Sequence, residues 1–237
     1  MSTVIARQSP TTTLTDPLWR VAGALALAHV VLMLVGVITS GSPTIHQGQE
    51  GIEHSYVEGS LTRIFTGGYV ETLAFVLLVP VLVFLSRAFG RRTENGGWAS
   101  QTAALAGLVY VAVVIAGGFA AGAAASWGAQ HGLSVEESLA INNIRNFAYY
   151  LSLAFLGAHA IGLGLAARSD SLMPRWVGWG GLTVGTVLLL AVPAAAVGMA
   201  DGASLVWIVW WTGLAVLMLR HPSTSRFADI GASDTAR

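Results

Sequence analysis

Cysteine and lysine are both missing from the 237 residues. Without cysteine there is no disulfide, no thiolate metal site and no c-type haem attachment. Without lysine there is no Schiff-base nitrogen of the kind a retinal protein uses and no phosphate-loop ammonium; all 12 basic side chains are arginine. Charge of either sign is scarce as well. Charged residues make up 10% of the chain, against roughly 25% in an ordinary soluble domain, and the formal net charge is zero. So few charges cannot cover a water-facing surface, and a neutral balance offers no basic face to nucleic acid. No serine triad, nucleotide loop or H-E-x-x-H helix is present either, so an enzyme is not the expectation.

What the chain has is apolar length. Hydrophobic residues are 54% of the total, and they gather into runs of about 20 residues, the length a helix needs to cross a bilayer. The runs fall at 18–39, 64–86, 98–121, 145–167, 175–199 and 203–219. Residues 1–16 and 220–237 are polar and read as disordered cytoplasmic tails around a membrane domain at 17–219. The fold expected is all-α: a polytopic transmembrane bundle of six spans.

Arginine placement orients it. With the N-terminus inside, Arg7, Arg20, Arg87, Arg91, Arg92, Arg168, Arg175, Arg220, Arg226 and Arg237 all fall on the cytoplasmic side, and only Arg63 and Arg145 fall outside. The outer segments hold Glu50, Glu53, Glu58, Glu136, Glu137 and Asp201 instead. Both termini are therefore expected on the cytoplasmic side of the membrane. Amphipathic tryptophan rings favour the membrane boundary. Trp19, Trp98, Trp176 and Trp179 are assigned to the inner interface on that ground, and Trp127, Trp207, Trp210 and Trp211 to the outer one. Ser134 and Glu137 form a capping-box pattern, so the fourth helix either starts outside the membrane or follows a short surface helix.

The two halves share features of a weak 3+3 inverted repeat, a plan many transporters use. Gly67-Gly68 precedes Pro80 as Gly180-Gly181 precedes Pro193, and spans one and four carry His29 and His159 after alanine. Gly118-x-x-x-Gly122, Gly181-x-x-x-Gly185 and Ala158-x-x-x-Gly162 are small-residue spacings that let helices pack closely.

Ionisable groups at membrane depth are costly and usually face partners or water. Five residues form the candidate polar network, a solute or proton pathway: His29, Glu71, Arg145, Asn146 and His159. At about 1.5 Å per residue, His29 lies roughly 16 Å and His159 about 13 Å from the inner boundary, so the two could meet at one depth. They are either packing histidines, a proton or substrate route, or the ligands of a haem or metal. Glu71 is expected to bridge to Arg145, with Asn146 or Tyr69 completing the hydrogen bonds. In the first outer loop Glu50, His54 and Glu58 stand at i, i+4 and i+8. On a helix they would share a face and suit a divalent metal, although three glycines in the loop weaken the helix. No cofactor is expected at the outset.

The stretch Leu172-Met173-Pro174-Arg175-Trp176-Val177-Gly178-Trp179-Gly180-Gly181, followed by Gly185 and a leucine run, resembles the fifth span of bacterial six-helix membrane proteins grouped as domain of unknown function 4386. The resemblance covers about residues 18–219 and implies a fold; it carries over no site residues. Three functions follow as expectations. The first is a polar intramembrane cavity handling a small solute or protons. The others are a haem- or metal-dependent redox protein and a regulatory or interaction subunit, whose partner is a membrane protein or a second copy of the chain.

Overall fold

A computed structural model of the protein describes residues 16–90, 93–169, 173–195 and 202–220, and among them every regular element is helical. The long elements are α1 (Asp16–Ser40), α3 (Leu61–Ala88), α6 (Val135–Ser169), α7 (Arg175–Ala194) and α8 (Ala203–Leu219). A further continuous run consists of α4 (Glu94–Val113), a π-helical stretch (Val114–Phe119) and α5 (Ala120–Ala129). Five of these six runs are long and apolar enough to span a membrane, and α8 is an apolar helix of 17 residues. At 1.5 Å per residue α8 is roughly 26 Å long, close to the ~30 Å hydrocarbon core. The chain is thus an all-helical, multi-pass membrane protein.

The tails at 1–15 and 221–237, Arg91 and Arg92, the turn at 170–172, the end of the expected fifth span at 196–199, and Asp201 lie outside the described residues.

Side chains fix the helix starts. The backbone N–H of Arg63 donates to Ser60 Oγ at 3.4 Å, and that of Gly96 to Thr93 Oγ1 at 3.0 Å. The Ser134–Glu137 box forms as its spacing predicts: Glu137 N–H donates to Ser134 Oγ at 3.2 Å, while Ser134 N–H donates back to Glu137 Oε2 at 2.8 Å. It starts one unbroken helix of 35 residues, so the fourth span carries a polar extension and no separate surface helix precedes it.

Each spanning run packs antiparallel on its neighbours in sequence, and α8 returns to close on α1. Missing side chains bring the backbones together. A Cβ on Gly36 would stand 2.8 Å from Gly67 O, and one on Gly67 would run into Ser40 N, which seals α1 to α3. Gly164 and Gly181 do the same for α6 and α7, Gly162 meets Ala99 O across α4, and Gly23 meets Ala215 O across α8. Gly118 and Gly122 depart from the close-packing expectation. A Cβ on Gly118 would meet only Val114 of its own run, and one on Gly122 would meet the Arg145 side chain rather than a helix backbone. The two widen a space instead of closing a seam.

The tryptophans also correct the sequence reading. Trp207 and Trp211 are buried and stacked with ring centroids 5.1 Å apart, and Trp210 and Trp19 are buried with them in the core. Trp98, Trp127, Trp176 and Trp179 remain at the surface. The reason lies in α8, which is apolar on every side and shows no polar face. Its core stripe is Trp207, Trp211, Leu214 and Met218, at spacings of three and four, which is a helical core face by periodicity.

The first loop is a folded cap. A 3-10 turn (Ile45–Gln47), α2 (Gly48–Ile52) and a π-helical turn (Glu53–Val57) follow one another. Gly41 and Gly48 sit at φ of 57° and 53°, a left-handed conformation that side chains disfavour. Ile52 and Tyr56 are fully buried against Ile64 and Ala125.

Candidate functional site

Beneath that cap, α1, α3, the α4–α5 run, α6 and α8 enclose a cavity of about 430 Å³. Its volume lies in the range of small-molecule sites. Most of its wall is apolar, with Met33, Leu34, Phe75, Leu153 and Ile208 among the lining side chains. The π-helical stretch supplies Val114, Gly118 and Phe119 to the wall. Such wide turns are rare inside helices and recur at functional sites.

Three of the five expected network residues meet here. Glu71 comes from α3, and Arg145 and Asn146 come from α6. Arg145 and Glu71 are within electrostatic reach of each other, yet among the described residues no ion pair joins them. The expected bridge does not form. Arg145 Nη1 instead donates, at long range, to Pro43 O (3.4 Å) and Asn146 Oδ1 (3.5 Å). Tyr69 is 60% exposed on the outer flank of α3 and takes no part. Two buried donors on the wall have no protein acceptor: Asn146 Nδ2, on a side chain only 7% exposed, and Trp207 Nε1. Both atoms are shut off from the open space of the cavity, so the polar groups it offers a bound molecule are chiefly the Glu71 and Arg145 side chains.

The cap is tied to the site through α6. Tyr56 Oη donates to Asn142 Oδ1 at 2.8 Å, Asn142 Nδ2 donates to Pro43 O at 3.2 Å, and Gln130 Nε2 donates to Tyr56 O at 2.6 Å. Asn142 lies one helical turn before Arg145 and Asn146, so one face of α6 holds both the cap and the site. Removing one such bond costs about 1 kcal/mol. Tyr56→Phe is therefore expected to speed hydrogen exchange in residues 45–57 severalfold while leaving exchange in α7 as in wild type.

His29 and His159 do not line the cavity. His29 Nδ1 donates to Ala74 O on α3, and His159 Nδ1 donates to Ala103 O on α4, both at 2.8 Å. A ring nitrogen facing a carbonyl must carry the proton, which fixes the tautomer and leaves each Nε2 as an acceptor. His29 touches Trp207 and His159 touches Trp211, so the two imidazoles are joined through the stacked indoles and do not face each other. The repeat-like placement of the pair also dissolves in three dimensions. His29 reaches from the first span to the second, whereas His159 reaches from the fourth to the third. The glycine seams at Gly36–Gly67 and Gly164–Gly181 do join equivalent helix pairs of the two halves.

The interhelical bonds give the histidines a mechanical reading. His159→Ala removes one buried hydrogen bond and leaves a void, together about 2 kcal/mol or more. It is expected to lower thermal stability in nanodiscs without changing ligand occupancy of the cavity; a stable variant with an emptied site would reverse the assignment.

In the cap, His54 Nδ1 and Glu58 Oε2 lie 3.7 Å apart, both in solvent. Glu50 does not join them. The π turn at Glu53–Val57 breaks the regular i, i+4, i+8 register on which the three-ligand reading rested. Among the described residues no three such groups gather around a point.

Sequence reasoning missed Tyr56, Asn142 and Trp207 as parts of this assembly. The spacing of Asn142, Arg145 and Asn146 at i, i+3 and i+4 could have grouped that face of α6. Nothing in the loop's own sequence shows that Tyr56 turns inward.

No curated protein and no solved structure matches the chain. Among protein families, the one described as Domain of unknown function (DUF4386) matches residues 21–220. The match covers nearly all of the helical bundle described above, and the chain belongs to the DUF4386 family.

Proposed function

We propose that this membrane protein binds a small solute in the cavity under the first loop, within a bacterial plasma membrane, with both termini in the cytoplasm and the cap outside. Arginine placement supports the orientation. The observation that carries the function is the meeting of Glu71, Arg145 and Asn146, drawn from two helices, on one largely apolar cavity of about 430 Å³. An apolar wall with a few convergent polar groups is the general form of a small-molecule site.

Equilibrium dialysis of protein in nanodiscs tests this with three matched probes: phenylalanine, phenethylamine and 3-phenylpropionate. At least one should bind to wild type. Gly118→Trp should abolish that binding, because the position opens into the cavity and a bulky ring fills it. If none of the three binds, or if the filled variant binds as wild type does, the proposal fails.

A further inference from the structure

The cavity holds one acid and one base that do not touch. Placing an ion in a low-dielectric site is expensive unless it is paired, and here each charged group is short of a partner. Arg145 has two long hydrogen bonds and stands beside the unmatched Asn146 Nδ2. The cavity's cationic donor therefore lies on the α6 side. Glu71, on α3, is an acceptor without a hydrogen bond among the described residues.

We infer that the site recognises a zwitterion on an apolar body, with the anionic group at Arg145 and the ammonium at Glu71. The inference rests on the proposed solute site and names the class of its ligand. Ionised, Glu71 and Arg145 sum to zero. A zwitterion keeps that sum and gives each charge a charge-assisted hydrogen bond. A singly charged ligand satisfies one residue, leaves the other unpaired and puts a net charge into the cavity. Met33, Phe119 and Ile208, half-buried on the wall, offer surface for the apolar part. The same chemistry occurs in a free amino acid with a large apolar side chain and in a zwitterionic lipid headgroup.

The three matched probes separate this inference from the reading beneath it. Phenylalanine should bind at least tenfold more tightly than phenethylamine or 3-phenylpropionate. Glu71→Gln should weaken phenylalanine at least tenfold and make 3-phenylpropionate the best of the three. Arg145→Gln should make phenethylamine the best. Lysophosphatidylethanolamine against lysophosphatidylglycerol asks the same question of a lipid source. A zwitterionic preference in the lipid pair alone assigns the site to a headgroup, and one in the phenylalanine series alone assigns it to a free solute. Binding of a singly charged probe as tight as its zwitterion in both series overturns the inference while the solute site stands. Absence of all binding overturns both. Melting temperatures taken alongside identify a variant that has misfolded, in which case the wild-type comparison decides alone.

Discussion

Gly36→Leu is expected to prevent the bundle from holding together. A Cβ at Gly36 falls 2.6 Å from Glu71 N and 2.8 Å from Gly67 O, so the obstruction is helix backbone and not the movable end of a side chain. Either α1 moves away from α3 or the overlap persists. Moving away would also pull His29 from Ala74 O, since that 2.8 Å bond spans the same seam. Overpacking alone costs about 3 kcal/mol or more in a well-packed interior, and separation forfeits the tight contact that drives helices together in lipid. The variant should fail to accumulate in membranes, or melt well below wild type in nanodiscs. Gly202→Ala is the matched control. Among the described residues its Cβ meets nothing within 4 Å, and its φ of −88° suits any residue. Equal melting of Gly36→Leu and wild type would show that the α1–α3 seam is looser than described.

Arg145→Glu is the second large effect, and it acts on the site. Among the described residues Arg145 is the only cation lining the cavity, and Glu71 lies within its electrostatic reach. Reversal places two acids on one enclosed wall. Like charges at close range disfavour each other's ionised form, and the hydrogen bonds to Pro43 O and Asn146 Oδ1 lose their donor. Probe binding should fall by more than tenfold, and the cap should loosen because Pro43 keeps only its bond from Asn142. Arg145→Lys retains the charge and loses the planar fork, so its loss should be smaller. Equal binding by wild type, Arg145→Lys and Arg145→Glu would remove Arg145 from the recognition of any ligand.

The sequence made the class legible because its signal is additive. Six apolar runs, each near the length a bilayer demands, leave little freedom, and every described helix falls on one of them or in the first loop. The Ser134–Glu137 box was equally legible, since capping is a local affair of four residues. Depth along a helix could be read as well, and Glu71, Arg145 and Asn146, grouped on that ground, line one cavity. Azimuth could not. By residue count His29 and His159 fall at similar depths, but they turn toward carbonyls of different helices, and only rotation about the helix axis decides that. The same limit misplaced Trp207 and Trp211. A helix apolar all round gives no contrast between its core face and its lipid face, and tryptophan is at home at an interface or in a core. The Glu71–Arg145 bridge failed for a third reason: equal height says nothing of the space between two side chains, and Arg145 turns to Pro43 O and Asn146 Oδ1 instead.

The claim beneath all of this is that water-soluble molecules reach a site enclosed by lipid-facing helices. A chain without cysteine allows that to be measured directly. Single cysteines at Gly118, Ser100 and Val76 place a thiol in the cavity, in the α3–α4 core and on an exposed apolar flank respectively. Thiols react as thiolates, which need water. The rate of labelling by a small, charged, membrane-impermeant methanethiosulfonate should be high for Gly118→Cys and near background for Ser100→Cys and Val76→Cys. Labelling of Gly118→Cys no faster than the other two would contradict the account.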